Sequence, residues 1–93
     1  MQAPTGLRKI AYNMHQDIFV VHDSYADVLD FAVHNLSSEE MVETKAFLTE
    51  LLVEPVDLRK VREIWSPLQT DIRIDDDKEL SEFLKTVRDR LVA

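Results

Sequence analysis

The stretch DDKELSEFLKTVRDRL, residues 76–91, has the most regular hydrophobic pattern of the chain. Asp76 precedes Glu79 at the spacing of a capping box, so we expect a helix to begin there. The carboxylates of this stretch come early and its arginines come late, an order that the helix dipole favours. Its apolar residues recur at intervals of three and four, on one helical face: Leu80, Phe83, Leu84, Val87 and Leu91.

Two amphipathic helices are predicted in the N-terminal part of the chain. Thr5 is expected to cap the first, which ends near residues 13–17, and Asp23 or Ser24 to cap the second. Between them, residues 18–21 form an apolar run that fits a buried extended connector or a short strand. The apolar positions of the two helices are Leu7, Ile10, Ala11 and Met14, then Tyr25, Val28, Leu29, Ala32, Val33 and Leu36.

Two more helices are predicted between these and the C-terminal one. Ser37 and Glu40 form a capping-box pair that starts the third helix, which Pro55 interrupts. The fourth begins near residues 54–57 and stops around Ser66, before Pro67. Trp65 is expected in the core. The residues at helical spacing on the two helices are Met41, Val42, Thr44, Lys45, Phe47, Leu48, Leu51 and Leu52, then Leu58, Val61, Ile64, Trp65 and Leu68.

The glycine content favours helices over hairpins. Gly6 is the only glycine, and tight hairpin turns need backbone positions that glycine supplies. The alternation at residues 72–74 allows one short extended stretch. We therefore predict a mostly all-α fold, a compact bundle of about five helices in one domain, residues 1–93, with residues 1–4 flexible.

Size and composition restrict the classes of function. In a chain of 93 residues a deep catalytic cleft would cost much of the small net stability, so such a cleft is not expected. It contains no cysteine, so disulfides and thiolate metal sites are excluded. No segment approaches the about 20 apolar residues of a membrane helix, and residues 1–7 lack the pattern of a signal peptide. The expected location is the cytoplasm.

The sequence offers little catalytic chemistry. No serine lies in a nucleophile-elbow motif, and one glycine cannot build a phosphate-binding loop. The three histidines, His15, His22 and His34, lack the spacing of metal ligands, and the acidic run at residues 71–77 lacks the glycine of a calcium loop. We predict no catalytic, cofactor-binding or metal-binding residues, while a small enzyme that uses carboxylates and His15 remains an alternative.

The charge of the chain is strongly negative. Eighteen acidic and 11 basic residues give a formal net charge of −7, which repels nucleic acid and anionic membranes. The charge either serves solubility alone or attracts a basic protein partner. Partner-binding residues are predicted in two acidic patches: Asp71, Asp75, Asp76, Asp77 and Glu79 in the first, and Glu39, Glu40 and Glu43 in the second.

Parts of the chain resemble a known family. Residues 7–17, ending in His15-Gln16-Asp17, and the following Asp23-Ser24-Tyr25 are similar to the opening of a family of CdiI-type immunity proteins of bacterial contact-dependent growth inhibition. The closing helix of that family is similar to a set of C-terminal residues here: Leu80, Ser81, Glu82, Phe83, Leu84, Val87, Arg88 and Leu91. At His15-Gln16-Asp17, a structural role at a helix end and a partner contact are both compatible with the residues.

The resemblance implies a cytoplasmic antidote. Such a protein binds and neutralises the toxin domain, commonly a nuclease, that a neighbouring cell delivers, and the acidic excess suits a basic nuclease groove. A helical adaptor or regulatory subunit for a different protein partner is the alternative, and so is a homodimer formed through apolar surface on the third or fourth helix.

Overall fold

The protein is a bundle of α-helices, as the hydrophobic pattern predicts. The computed structural model describes residues 2–14, 25–68 and 74–91, and within these ranges it contains no strand. These ranges contain five helices, which we number in chain order: α1 (Thr5–Asn13), α2 (Tyr25–His34), α3 (Ser38–Leu51), α4 (Leu58–Trp65) and α5 (Asp77–Arg90). The predicted mostly all-α class is confirmed.

The C-terminal helix holds the bundle together. Helix α5 packs against α2, α3 and α4, while α1 packs against α2 and α3. Between these helices lies a single cluster of buried apolar side chains, to which all five helices contribute. The apolar residues predicted at helical spacing make up most of this cluster. In α1 all four of them, Leu7, Ile10, Ala11 and Met14, are fully buried.

Trp65 belongs to this core. Its side chain is 3% exposed. Its ring meets the edge of the Phe83 ring at a centroid distance of 5.6 Å and an interplanar angle of 69°. This edge-to-face geometry is one that aromatic pairs prefer, and it fixes α4 against α5. The expected core position of Trp65 is confirmed.

Side-chain caps start three of the helices. The predicted capping box is present: Glu40 N donates to Ser37 Oγ (3.1 Å), and Ser37 N donates to Glu40 Oε1 (2.8 Å). Asp76 Oδ1 accepts from Glu79 N (3.0 Å), which confirms Asp76 as the cap of α5. Asp57 caps α4 by accepting from Lys60 N (3.2 Å). These bonds satisfy amides that have no partner inside the helix.

The first helix begins differently from the prediction. Thr5 is not the cap, because Pro4 holds that position in extended backbone (φ −67°, ψ 161°) and no side chain caps the amides. The helical bonding begins one residue earlier than expected, since the Pro4 carbonyl accepts from Arg8 N (3.1 Å). Thr5 Oγ1 instead accepts from Arg8 Nη2 (3.4 Å).

The other predicted boundaries fall in two groups. Helix α3 ends at Leu51, before Pro55, and α4 ends at Trp65, before Pro67, as expected. The predicted extended connector at residues 18–21, the caps Asp23 and Ser24, and residues 72–73 of the short extended stretch lie outside the described residues.

A glycine allows α1 to approach α3 closely. Gly6 is buried, and the space that a β-carbon would occupy there is already filled by Thr44 Oγ1. Thr44 is itself fully buried in α3. Nearby, Lys9 Nζ on α1 lies 2.7 Å from Glu40 Oε2 on α3. The small residue and the ion pair together determine how these two helices meet.

Polar contacts also tie α5 to its neighbours. Arg62 of α4 donates from Nε to Asp77 Oδ1 and from Nη2 to the Ile74 carbonyl, both at 2.7 Å. Arg90 Nη1 lies 2.6 Å from Asp30 Oδ1 of α2. Both ends of α5 are therefore fastened to another helix.

No helix in the described part of the chain has the length and apolar character needed to cross a membrane.

Candidate functional site

The candidate site is a groove on one side of α5, next to α2. Its volume is about 620 Å³. The apolar part of its lining, which we call the floor, consists of Leu29, Ile74 and Phe83. The carboxylates around it, which we call the acidic rim, are Asp76, Glu79 and Glu82, and Lys78 and Thr86 complete the lining.

The spacing of residues in α5 builds most of this groove. Residues three and four apart share a helical face, so Glu79, Glu82, Phe83 and Thr86 lie in one row along α5. Asp76 stands at the N-terminal end of that row because it caps the helix. Leu29 enters from α2, which packs directly against α5.

The groove combines negative charge with apolar surface. Three rim carboxylates face a single ammonium, that of Lys78, among the residues that line it. Asp76 and Glu79 are exposed, and the Glu82 side chain is 63% exposed, with an oxygen 3.6 Å from Lys85 Nζ. Such a surface suits a partner that carries an exposed apolar side chain with lysines or arginines around it. The apolar side chain would contact the floor and the basic residues would pair with the rim, which is the usual arrangement of a binding hot spot: a buried anchor residue surrounded by polar contacts.

The structure divides the first predicted acidic patch. Asp76 and Glu79 belong to the groove, and Asp75 is exposed beside it. Asp77 is half-buried and engaged by Arg62 at 2.7 Å, so it joins α4 to α5. Asp71 lies outside the described residues.

The second predicted patch lies on α3 and lines no part of the groove. Glu39 and Glu43 are exposed there. The Glu40 side chain is only 18% exposed and pairs with Lys9. The hydrogen bond from Lys9, with a further one from the Ser37 amide, lowers the pKa of Glu40 below its ordinary value of 4.5. Glu40 therefore stays ionised to stabilise α3 and its contact with α1.

A second ion pair, whose two residues do not line the groove, shows the same effect. Lys85 Nζ lies 3.0 Å from Glu54 Oε1. The hydrogen bond from Lys85 lowers the pKa of Glu54, and the same bond raises the pKa of Lys85. This pair joins α5 to the segment after α3. Of the three rim carboxylates, Lys85 approaches only that of Glu82.

Sequence reasoning missed six of the eight groove residues as site residues, namely Leu29, Ile74, Lys78, Glu82, Phe83 and Thr86. Glu82 was assigned only to the helix dipole, and Leu29 and Phe83 only to the core. The row of Glu79, Glu82 and Phe83 on one face of α5 is visible in the sequence and would have indicated a mixed acidic and apolar surface. The position of Leu29 opposite that row depends on tertiary packing, which local spacing does not reveal.

The described residues show no grouping of three or more histidine, aspartate or glutamate side chains that would hold a metal ion. His34 Nδ1 lies 2.6 Å from the Asp30 carbonyl oxygen, within its own helix. His15 and His22 lie outside the described residues.

Comparison with protein-family models, with curated proteins and with solved structures finds no match for the chain.

Proposed function

We propose that the chain is an immunity protein that binds a toxin domain, a nuclease, and covers its active site. The observation that carries the proposal is the groove of α5, where the acidic rim surrounds an apolar floor. The location proposed for this activity is the cytoplasm, where such a toxin acts.

The chemistry of a nuclease supports this assignment. A nuclease must carry basic residues around its substrate groove in order to hold phosphates. Asp76, Glu79 and Glu82 follow one another at intervals of three residues, at the start of α5 and along it. Their carboxylates can therefore occupy the positions of phosphates in such a groove. The apolar floor adds a contact that excludes water, which gives affinity in addition to electrostatic attraction.

The resemblance to CdiI-type proteins supports the same function from the sequence. The C-terminal residues that carry it include Glu82 and Phe83 of the groove. The proposed binding surface therefore overlaps a segment that carries the resemblance.

The test is co-expression with the toxin domain encoded next to the gene, with growth rescue and co-purification as readouts. Wild-type protein should rescue growth, and the double variant Glu79→Lys/Glu82→Lys should lose both rescue and complex. Glu63→Lys, which changes an exposed charge on α4, is the control and should rescue. Cell death with wild-type protein and no recovered complex would reject the proposal for that toxin.

A helical adaptor for a different basic protein is the second candidate. Exposed apolar side chains outside the groove favour it, in particular Tyr12, which is 65% exposed on α1. A neighbouring gene for a large secreted toxin with a variable C-terminal domain supports the immunity function, and the lack of one supports the adaptor.

A further inference from the structure

The exposed face of α3 carries an apolar strip that no other described helix covers. It consists of Val42, Ala46 and Thr49 on α3 and of Val53, two residues past the end of that helix, and all four line one shallow groove of about 450 Å³. Val42 is 57% exposed and Val53 is 60% exposed. The intervals between the four positions are four, three and four residues, the spacing of a two-stranded coiled-coil seam.

Opposite charges flank this α3 strip. Lys45 lies along one side, and Glu43 and Glu50 lie along the other, as the helical rotation of about 100° per residue requires. Neither Lys45 nor Glu50 forms an ion pair within the described part of the chain, although both line the same groove. Each side of the strip therefore carries a charge available to a partner.

We propose that the α3 strip binds a second copy of this chain, with the two α3 helices parallel about a two-fold axis. Each strip residue then meets its own counterpart, and small Ala46 and Thr49 let the helices approach closely. Glu50 follows Lys45 by five residues. That is the offset at which flanking residues of parallel paired helices form ion pairs, so two symmetric Lys45–Glu50 pairs form across the interface.

Charge selects the parallel arrangement over the antiparallel one. In an antiparallel two-fold pair, the same side of each helix faces itself. Lys45 would then lie on the side of the partner's own lysine, and Glu43 would approach the partner's Glu50. Like charges placed opposite each other are destabilising, whereas the parallel pair brings opposite charges together.

One residue limits the strength of this dimer. Glu39 continues the strip by one position toward the start of α3 and is exposed. In the parallel pair the two Glu39 side chains face each other and repel. Because the strip is short and carries this repulsion, we expect a weak dimer with a Kd on the order of 0.1 mM.

A disulfide experiment tests the geometry, because the chain contains no cysteine of its own. Val42→Cys should cross-link to its counterpart under mild oxidation, since parallel α3 helices bring the two positions together. In an antiparallel pair residue 42 lies opposite residue 53, so the two cysteines are separated by about 16 Å along the axis, beyond disulfide reach. Glu63→Cys on α4 is the control. Equal cross-linking at positions 42 and 63 would overturn the proposal.

Charge exchange tests the ion pairs by sedimentation equilibrium. Lys45→Glu should weaken dimerisation about tenfold, because it replaces two attractions by two repulsions. The double variant Lys45→Glu/Glu50→Lys should restore it, and Glu39→Gln should strengthen it severalfold. All these positions lie on the surface, so circular dichroism should be unchanged. A wild-type chain that stays monomeric at about 1 mM, or a double variant without recovery, contradicts the proposal.

This inference uses a face other than the groove of α5, so it stands or falls separately from the proposed function. Glu79→Lys/Glu82→Lys should leave the dimerisation constant unchanged while removing toxin binding. The Lys45 variants should change dimerisation and still rescue growth.

Discussion

Gly6 and Thr44 determine the separation of α1 and α3. Besides Thr44 Oγ1, a β-carbon at residue 6 would meet the Glu40 carbonyl oxygen at 3.0 Å. Thr44 Oγ1 is buried and has no hydrogen-bond partner among the residues that the structure describes. The contact is therefore one of shape, and the hydroxyl contributes volume there and no hydrogen bond.

Gly6→Ala should lower the free energy of unfolding by about 1–3 kcal/mol, the usual cost of overfilling a packed interior. Urea denaturation measures this loss. Thr44→Ala removes the oxygen that the new methyl group meets, so the double variant should lose less than the sum of the two single variants. Strict additivity would show that the two residues do not compete for the same space.

Glu40 provides a pH-dependent contribution to stability. Its pKa is lowered in the folded state, chiefly by the hydrogen bond from Lys9. A carboxyl with a lowered folded-state pKa stabilises the protein above its unfolded pKa, and this stabilisation is lost as the pH falls through the folded value. It is therefore present at neutral pH and disappears progressively below 4.5.

The variant Glu40→Gln isolates this ion pair, because glutamine can still complete a capping box. We expect it to be less stable than the wild type at pH 7 and equally stable once the pH is well below 4.5. Thermal unfolding across this pH range is the measurement. Glu63→Gln is the control for removal of a charge, and a Glu40→Gln deficit that persists at low pH would contradict the assignment.

At the scale of the helices, local sequence signals were sufficient to predict most of the fold. The caps Ser37 and Asp76 act on amides three residues away, so their spacing alone revealed them. The cap of α1 was mispredicted, since Thr5 fits the preference for a capping hydroxyl but Pro4 already holds the position. The contact of Lys9 with Glu40 joins two helices and has no local signature.

Arg62 is the residue that links α4 to the start of α5. Because its guanidinium bonds both Asp77 and the Ile74 carbonyl, Arg62→Lys keeps the charge and cannot make both bonds in the same geometry. We expect a loss of about 1 kcal/mol in unfolding free energy and faster amide hydrogen exchange at residues 74–77. Arg59→Lys, an exposed change on the same helix, is the control. Unaltered exchange in Arg62→Lys would show that the bonds do not hold this segment.

For the whole molecule, composition predicted an acidic surface and did not predict where the acidic residues would converge. A net charge of −7 spread over many residues does not show which of them converge. The groove collects Asp76 and Glu79 of the first predicted patch, and the packing of α2 on α5 adds Leu29. Two other predicted residues, Asp77 and Glu40, are engaged in joining helices.

Under the proposed function, association with the toxin should depend strongly on salt. The association rate should fall about tenfold or more as the Debye length shrinks from about 30 Å at 0.01 M salt to about 8 Å at 0.15 M, while dissociation changes little. Stopped-flow fluorescence measures both rates. Glu79→Gln/Glu82→Gln should reduce the salt dependence more than Glu50→Gln/Glu63→Gln, which removes two exposed charges outside both predicted patches. An equal reduction would place the binding surface elsewhere.

The position of α5 in the chain has a consequence for synthesis. This helix follows the other four and packs against three of them, and its Arg90 pairs with Asp30, 60 positions earlier. A nascent chain on the ribosome cannot complete its core until residues 77–90 have left the exit tunnel. Until then the apolar surfaces with which α2, α3 and α4 contact α5 remain uncovered, so these helices cannot complete their packing before α5 emerges, and chaperones have an interval in which to bind.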